Sequence, residues 1–328
     1  MFQEIELANL FNWAVLPTDL AATPLQDPEA ARALKWLHAL PSAEQNDALA
    51  RIGARLPDLD AAKSAALLVL TGRLVEDGAS PDAVVPGGLA HLDRLRHLHE
   101  PIAADTWCFS VIGLMAMLCR SASARALLKQ QAELLTWLEE YEDLSDHFGY
   151  LLHMARAADE DVLWVLFPTN ETGLEVSVAQ VHNTFQLLTL LQPLVLEQAA
   201  GLKLTSHPVP IDPGLLRYAR GDASTSPVEE DHARFEWLTT AAYLGGPLDS
   251  WQLAWGEAAV FSLPRVRGKV TLIATEKEAR MARSWDVNFL ALMHDANRPD
   301  VRFRRLLPAA EVRALLAEIH PPVSSERS

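Results

Sequence analysis

Cysteine is nearly absent. Two residues in 328, Cys108 and Cys119, leave no room for a disulfide framework. They fall eleven positions apart on one predicted helix, about 16 Å along its axis. A disulfide needs Cα atoms within about 7 Å, so the two cannot pair while that helix is intact. Free thiols suit a reducing compartment, and the expected location is cytoplasmic. Positive charge is also scarce. Lys and Arg number 28 against 43 Asp and Glu, for a net charge of −15. That excludes a general nucleic-acid binder, which needs clustered Lys and Arg to meet phosphates.

Long apolar runs are missing too. The one stretch approaching membrane-span length follows Val181, and it carries His182, Asn183, Gln186, Gln192 and Pro193. It is a core helix rather than a membrane span. Met1 to Glu6 has no basic segment of the kind that opens a signal peptide. The chain contains no Gly-x-Gly-x-x-Gly, no phosphate loop, no His-Glu-x-x-His and no Gly-x-Ser-x-Gly elbow. No cofactor and no metal are expected. No motif ties a named reaction to named residues.

Core-forming material is plentiful. Apolar residues make up 49% of the chain, and charged residues make up 22%. Residues 1–160 carry 12 basic and 23 acidic side chains, a net of −11; residues 161–328 carry 16 and 20, a net of −4. From Arg265 to Arg305 the sign reverses, with ten basic against five acidic residues.

The first 160 residues give about eight helices. Asp27, Pro28 and Glu29 make a helix start: a cap, a proline at the first position and an acid near the positive end. Ser42 and Gln45 have capping-box spacing, and Asp60 opens an Ala- and Leu-rich helix ended by Gly78. Ser80 to Gly88 is a predicted loop. Asp105 to Arg120 is apolar on nearly every face, which places it centrally. Ser121 begins a long amphipathic helix through Trp137 and Tyr141. No repeat of 34–47 residues is evident, so residues 1–160 read as an irregular helical domain, with solenoid-like stacking as the alternative arrangement.

At Asp161 the pattern changes. Asp161 to Phe167 is a short apolar run, Pro168 to Gly173 a turn, and Leu174 to Val181 alternates apolar and polar residues. That is a hairpin feeding a helix at His182 to Ala199. Further helices are expected at His232–Leu244 and Glu276–Asp295, strands at Lys269–Ala274 and Val301–Leu306, and a last helix at Pro308–Ile319. The fold class is α+β: a helical N-terminal domain packed on a smaller α/β domain, residues 161–320, with a mixed sheet of about four to six strands. Residues 321–328 are a frayed tail.

Four constellations could carry function. Glu139, Asp143 and His147 share one face if a single helix runs through them, and Glu140, Glu142 and Asp146 thicken the acidity. One helix cannot complete a metal's coordination sphere, so this is an acidic surface suited to a basic protein partner. His91, Asp93, His97 and His99 form a surface histidine group in which Asp93 and His97 are spaced to bond. A nucleophilic Cys108 would need a base nearby and a polar setting, but Trp107 and Phe109 flank it and the helix beyond is apolar, so it is expected to be buried and structural. Trp251, Trp255 and Glu257, with His182, Asn183, Arg280 and Arg283, could line a small-ligand or catalytic site at the domain junction. The leading expectation is a non-catalytic, cytoplasmic interaction protein of accessory or immunity type. Its docking residues are Glu139, Glu140, Glu142 and Asp143. The alternative is an enzyme or ligand-binding protein.

Overall fold

The computed structural model describes residues 2–13, 24–98, 104–144, 146–205, 213–222, 232–235, 238–241, 259–275, 281–284 and 294–319. The fold is α+β. It divides into two compact units, Met1–Ala155 and Arg156–Ser328.

Among the described residues the first unit is helical: α1 (Phe2–Asn12), α2 (Pro28–His38), α3 (Ser42–Arg55), α4 (Ala61–Glu76), α5 (Val85–Arg96), α6 (Ala104–Leu118), α7 (Ala122–Lys129), α8 (Ala132–Glu140) and α9 (Asp146–Arg156). The caps read from sequence at Asp27 and Asp60 form. Asp27 Oδ1 accepts from the Glu29 and Ala30 amides at 2.7 and 3.3 Å, and Asp60 Oδ1 from the Lys63 amide at 2.8 Å. The Ser42 capping box does not. Pro41 is the cap residue, Ser42 is already helical, and Gln45 Nε2 donates to the Leu37 carbonyl instead. The expected Ser80–Gly88 loop is shorter than predicted, because Pro86 is tolerated in the first turn of α5.

Two close crossings organise this unit. At α4–α6, a Cβ added to Gly113 would lie 2.4 Å from the Leu68 backbone carbonyl, and one added to Gly72 2.8 Å from the Gly113 oxygen. At α3–α5, a Cβ on Gly87 would lie 1.8 Å from the Gly53 oxygen. Backbones therefore touch where side chains would normally hold helices 8–10 Å apart. The helix expected to run from Ser121 through Tyr141 is instead two, α7 and α8. It breaks at Gln130–Gln131 without a Gly or Pro, as α7 packs on α5 and α6 and α8 packs on α5.

The second unit begins with the hairpin. β1 (Ala158–Phe167) pairs antiparallel with β2 (Thr172–Val181), and Glu171 turns the chain at φ 49°. Then come α10 (Thr184–Glu197) and α11 (Pro213–Ala219). Further strands are β3 (His232–Phe235), β4 (Leu238–Ala241), β5 (Arg265–Val266), β6 (Lys269–Thr275), β7 (Met281–Ser284) and β8 (Asp300–Leu307), and α12 (Ala309–Ile319) ends the described chain. The main sheet has six strands in the order β4-β6-β1-β2-β8, with β5 also on β6. Among the described strands only the β1–β6 pair is parallel, so the sheet is mixed.

Both faces of the sheet are covered. Leu163, Val165 and Phe167 of β1 pack with Leu187, Leu191 and Val195 of α10. Trp164 and Leu166 face the other way, toward Val312, Leu315 and Ile319 of α12. That is why β1 reads as an unbroken apolar run rather than an alternating one.

Two helix predictions fail here. His232–Leu244 holds two strands, β3 and β4, and Glu276–Asp295 contains β7. β4 pairs with β6 along Leu238–Ala241, and β7 pairs with β3. Sheet pairing overrode the local helical pattern, as tertiary context does for short segments. The predicted frayed tail, residues 321–328, lies outside the described residues.

Candidate functional site

The acidic residues do not share a helix. Glu139 and Glu140 end α8, Glu142 and Asp143 sit in a following 3-10 turn, and His147 opens α9. The i, i+4, i+8 face is therefore lost at Tyr141. What replaces it is a corner. Glu139, Glu140 and Asp143 are exposed, Glu142 half-buried.

This corner carries an aromatic cluster that sequence reading missed. Trp107 of α6 stacks on Trp137 of α8, with centroids 5.1 Å apart and planes 22° apart. Phe148 of α9 meets both rings edge-on at 5.4 and 5.3 Å. Tyr141, at 37% exposure, lies 5.0 Å from Trp137. Both tryptophans are only half-buried. Three helices thus bring four rings together over a span of 41 positions, beyond the reach of any helical periodicity.

Cys108 is not buried away. It is half-exposed, one residue after Trp107, and its Sγ lies 2.9 Å from His147 Nε2. Burial first, then the nearby Asp105 charge, pushes the thiol above its ordinary range. The resting sulfur is therefore a thiol. The expected burial does not hold, and an imidazole reaches the sulfur from 39 positions away, on another helix.

The histidine group disperses. His91 is fully buried, with Nε2 3.1 Å from Ser110 Oγ, while Asp93 bonds Arg96 at 2.7 Å rather than His97. His91 lies on the α5 face of Leu92 and Leu95, a stripe that could have marked it as interior. His99 lies outside the described residues.

The residues named for a ligand site do not assemble among the described residues. Asn183 caps α10, its Oδ1 accepting from the Gln186 amide at 2.8 Å. Gln186 in turn accepts from the His182 amide at 2.8 Å and donates to the Ala219 carbonyl at 2.9 Å. His182 is buried beside that cap. Arg283 belongs to β7, its backbone opposite Ala233. Trp251, Trp255, Glu257 and Arg280 lie outside the described residues. Asn183→Ala should cost about 1 kcal/mol, the usual value of a lost helix cap, measurable as a lower urea midpoint for the sheet unit.

No group of three or more metal-ligating side chains occurs among the described residues. Among them, too, no helix is long and apolar enough to cross a membrane. No family model, no curated protein and no solved structure matches the chain.

Proposed function

We propose that this is a non-catalytic cytoplasmic docking protein that uses the α6–α8–α9 corner to hold a basic segment of a partner protein. The observation that carries the reading is the half-exposed Trp107–Trp137 stack, with the exposed Glu139, Glu140 and Asp143 following Trp137 within six residues of chain. Residues 130–155 hold six acids (Glu133, Glu139, Glu140, Glu142, Asp143 and Asp146) and no Lys or Arg. An Arg or Lys side chain suits both features. Its charge meets the carboxylates, and its head can sit on a ring face for about 0.5–1 kcal/mol at an exposed site. The aromatic surface supplies the apolar contact that a purely acidic patch lacks, in keeping with the enrichment of Trp and Tyr at hot spots.

The test is titration with an Arg- and Lys-rich peptide, followed by tryptophan fluorescence, at low and at high salt. Reversing Glu139, Glu140, Glu142 and Asp143 to Lys together should weaken binding by about 2 kcal/mol, roughly 30-fold, at about half a kcal/mol for each of the four charges. Binding should also fall as salt rises, because exposed charges are screened beyond about 8 Å at physiological ionic strength. Affinity that survives both changes would sink the docking reading.

A further inference from the structure

We propose that Cys108 is a site of reversible S-thiolation by low-molecular-weight disulfides, with His147 as its general base. The inference does not depend on the docking reading. It stands on four observations about the chain itself.

The first is geometric. Cys108 Sγ and His147 Nε2 are 2.9 Å apart, so an imidazole nitrogen stands within proton-transfer distance of the thiol. Nucleophile and base come from different helices, α6 and α9, and the cysteine lies in the second turn of its helix. The second is access. Cys108, His147 and the neighbouring Trp107 are all half-exposed, so a small disulfide can approach the sulfur. The third is selectivity. Cys119 is buried at 1% exposure, and burial pushes its thiol up to about 12. It cannot compete as a thiolate. The fourth concerns fate. Cys119 follows α6 directly, about 16 Å along the axis from Cys108, and the chain has no third cysteine. No internal thiol can resolve a mixed disulfide. The product persists until an external thiol removes it, which makes this a modification site rather than an oxidoreductase cycle.

The chemistry balances with the disulfide as the only co-reactant. As Sγ attacks one sulfur of R–S–S–R, its proton passes to His147 Nε2. The Sγ–S bond forms and the S–S bond breaks. The electron pair leaves on the second sulfur as R–S⁻, and that thiolate takes the proton from the imidazolium. One disulfide is consumed, one mixed disulfide and one thiol are made, and the imidazole is regenerated neutral. Acyl transfer would also need donors around a developing oxyanion; disulfide exchange needs none. Because Cys108 rests as a thiol, its reactivity depends on the base and not on a standing thiolate.

The test exposes the full-length protein to glutathione disulfide, quenches with acid at intervals and maps the adducts by peptide mass. One glutathionyl group is expected on the Cys108 peptide and none on Cys119 on the same timescale. Cys108 should react faster in the native protein than in the same chain unfolded in urea at the same pH. His147→Asn should slow the native reaction about 100-fold, the low end of general-base contributions. Equal labelling of both cysteines, or an unchanged rate in His147→Asn, would overturn the proposal. Should that variant not fold, the native-against-urea comparison on the unsubstituted chain decides alone: a slower native rate refutes it.

Discussion

Gly113→Ala should destabilise the helical unit by about 3 kcal/mol, at the upper end of ordinary overpacking costs. Two effects oppose each other. Alanine is the better helix former, worth up to about 1 kcal/mol over glycine. Against that, the new Cβ would lie 2.4 Å from the Leu68 carbonyl carbon and oxygen and 2.8 Å from the Val69 amide nitrogen. All three are backbone atoms of α4, so no rotamer change relieves the clash and the helices must separate. Separation loosens the interior around Leu67, Leu68, Leu114 and Met117. Gly149→Ala in α9 is the matched control. Its Cβ would meet nothing closer than 3.5 Å, so only the helix-propensity gain remains. Amide hydrogen exchange of α4 and α6 checks both: protection should fall on the order of 100-fold for Gly113→Ala and hold or rise for Gly149→Ala. Unchanged protection in Gly113→Ala would mean the crossing is looser than the geometry requires.

The helical unit should also lose stability in mild acid through His91. Burial, and secondarily the Arg94 charge, lowers this imidazole from 6.5 to about 3. Ser110 Oγ donates to the Thr106 carbonyl at 2.7 Å, so His91 Nε2 is assigned as the donor to Ser110. Nδ1 is then a buried acceptor with no partner among the described residues. The neutral ring is the folded form. Below pH 6.5 the unfolded chain takes up a proton that the folded chain refuses until about pH 3. Stability is therefore full above 6.5 and falls through that window, by about 3 kcal/mol at pH 4. His91→Leu, which keeps the bulk and removes the titration, should erase this component. Urea unfolding of both proteins at pH 7.5, 5.5 and 4 measures the difference, which cancels the carboxylates they share. Parallel pH profiles would show that His91 titrates normally.

Both predictions concern places where helices from distant parts of the chain meet, and the same division runs through the molecule. Asp27, Asp60 and Ser121 started helices as read, because a cap is a contact across two or three residues. The β1–β2 hairpin was legible because an apolar run, a turn and the alternating Leu174–Val181 stretch follow one another directly in the chain. β6, β8 and α12 formed where expected for similar reasons. The segment from His232 to Leu244 shows the limit. Its pattern is compatible with a helix, and pairing with β6 made part of it a strand.

The candidate site lay beyond local reading for a related reason. Acidity was visible at Glu139, Glu140, Glu142 and Asp143, since charge can be counted. The sequence alone determined a helical half, a mixed-sheet half, a surplus of carboxylates and two thiols too far apart to join. Tertiary structure decided that the supposed single helix breaks at Tyr141, that Trp107 stacks on Trp137, and that His147 meets Cys108. Periodicity reports which face of a helix turns inward. It does not report which distant helix that face will meet, because that depends on how closely backbones approach, and at the α4–α6 and α3–α5 crossings glycines set that approach.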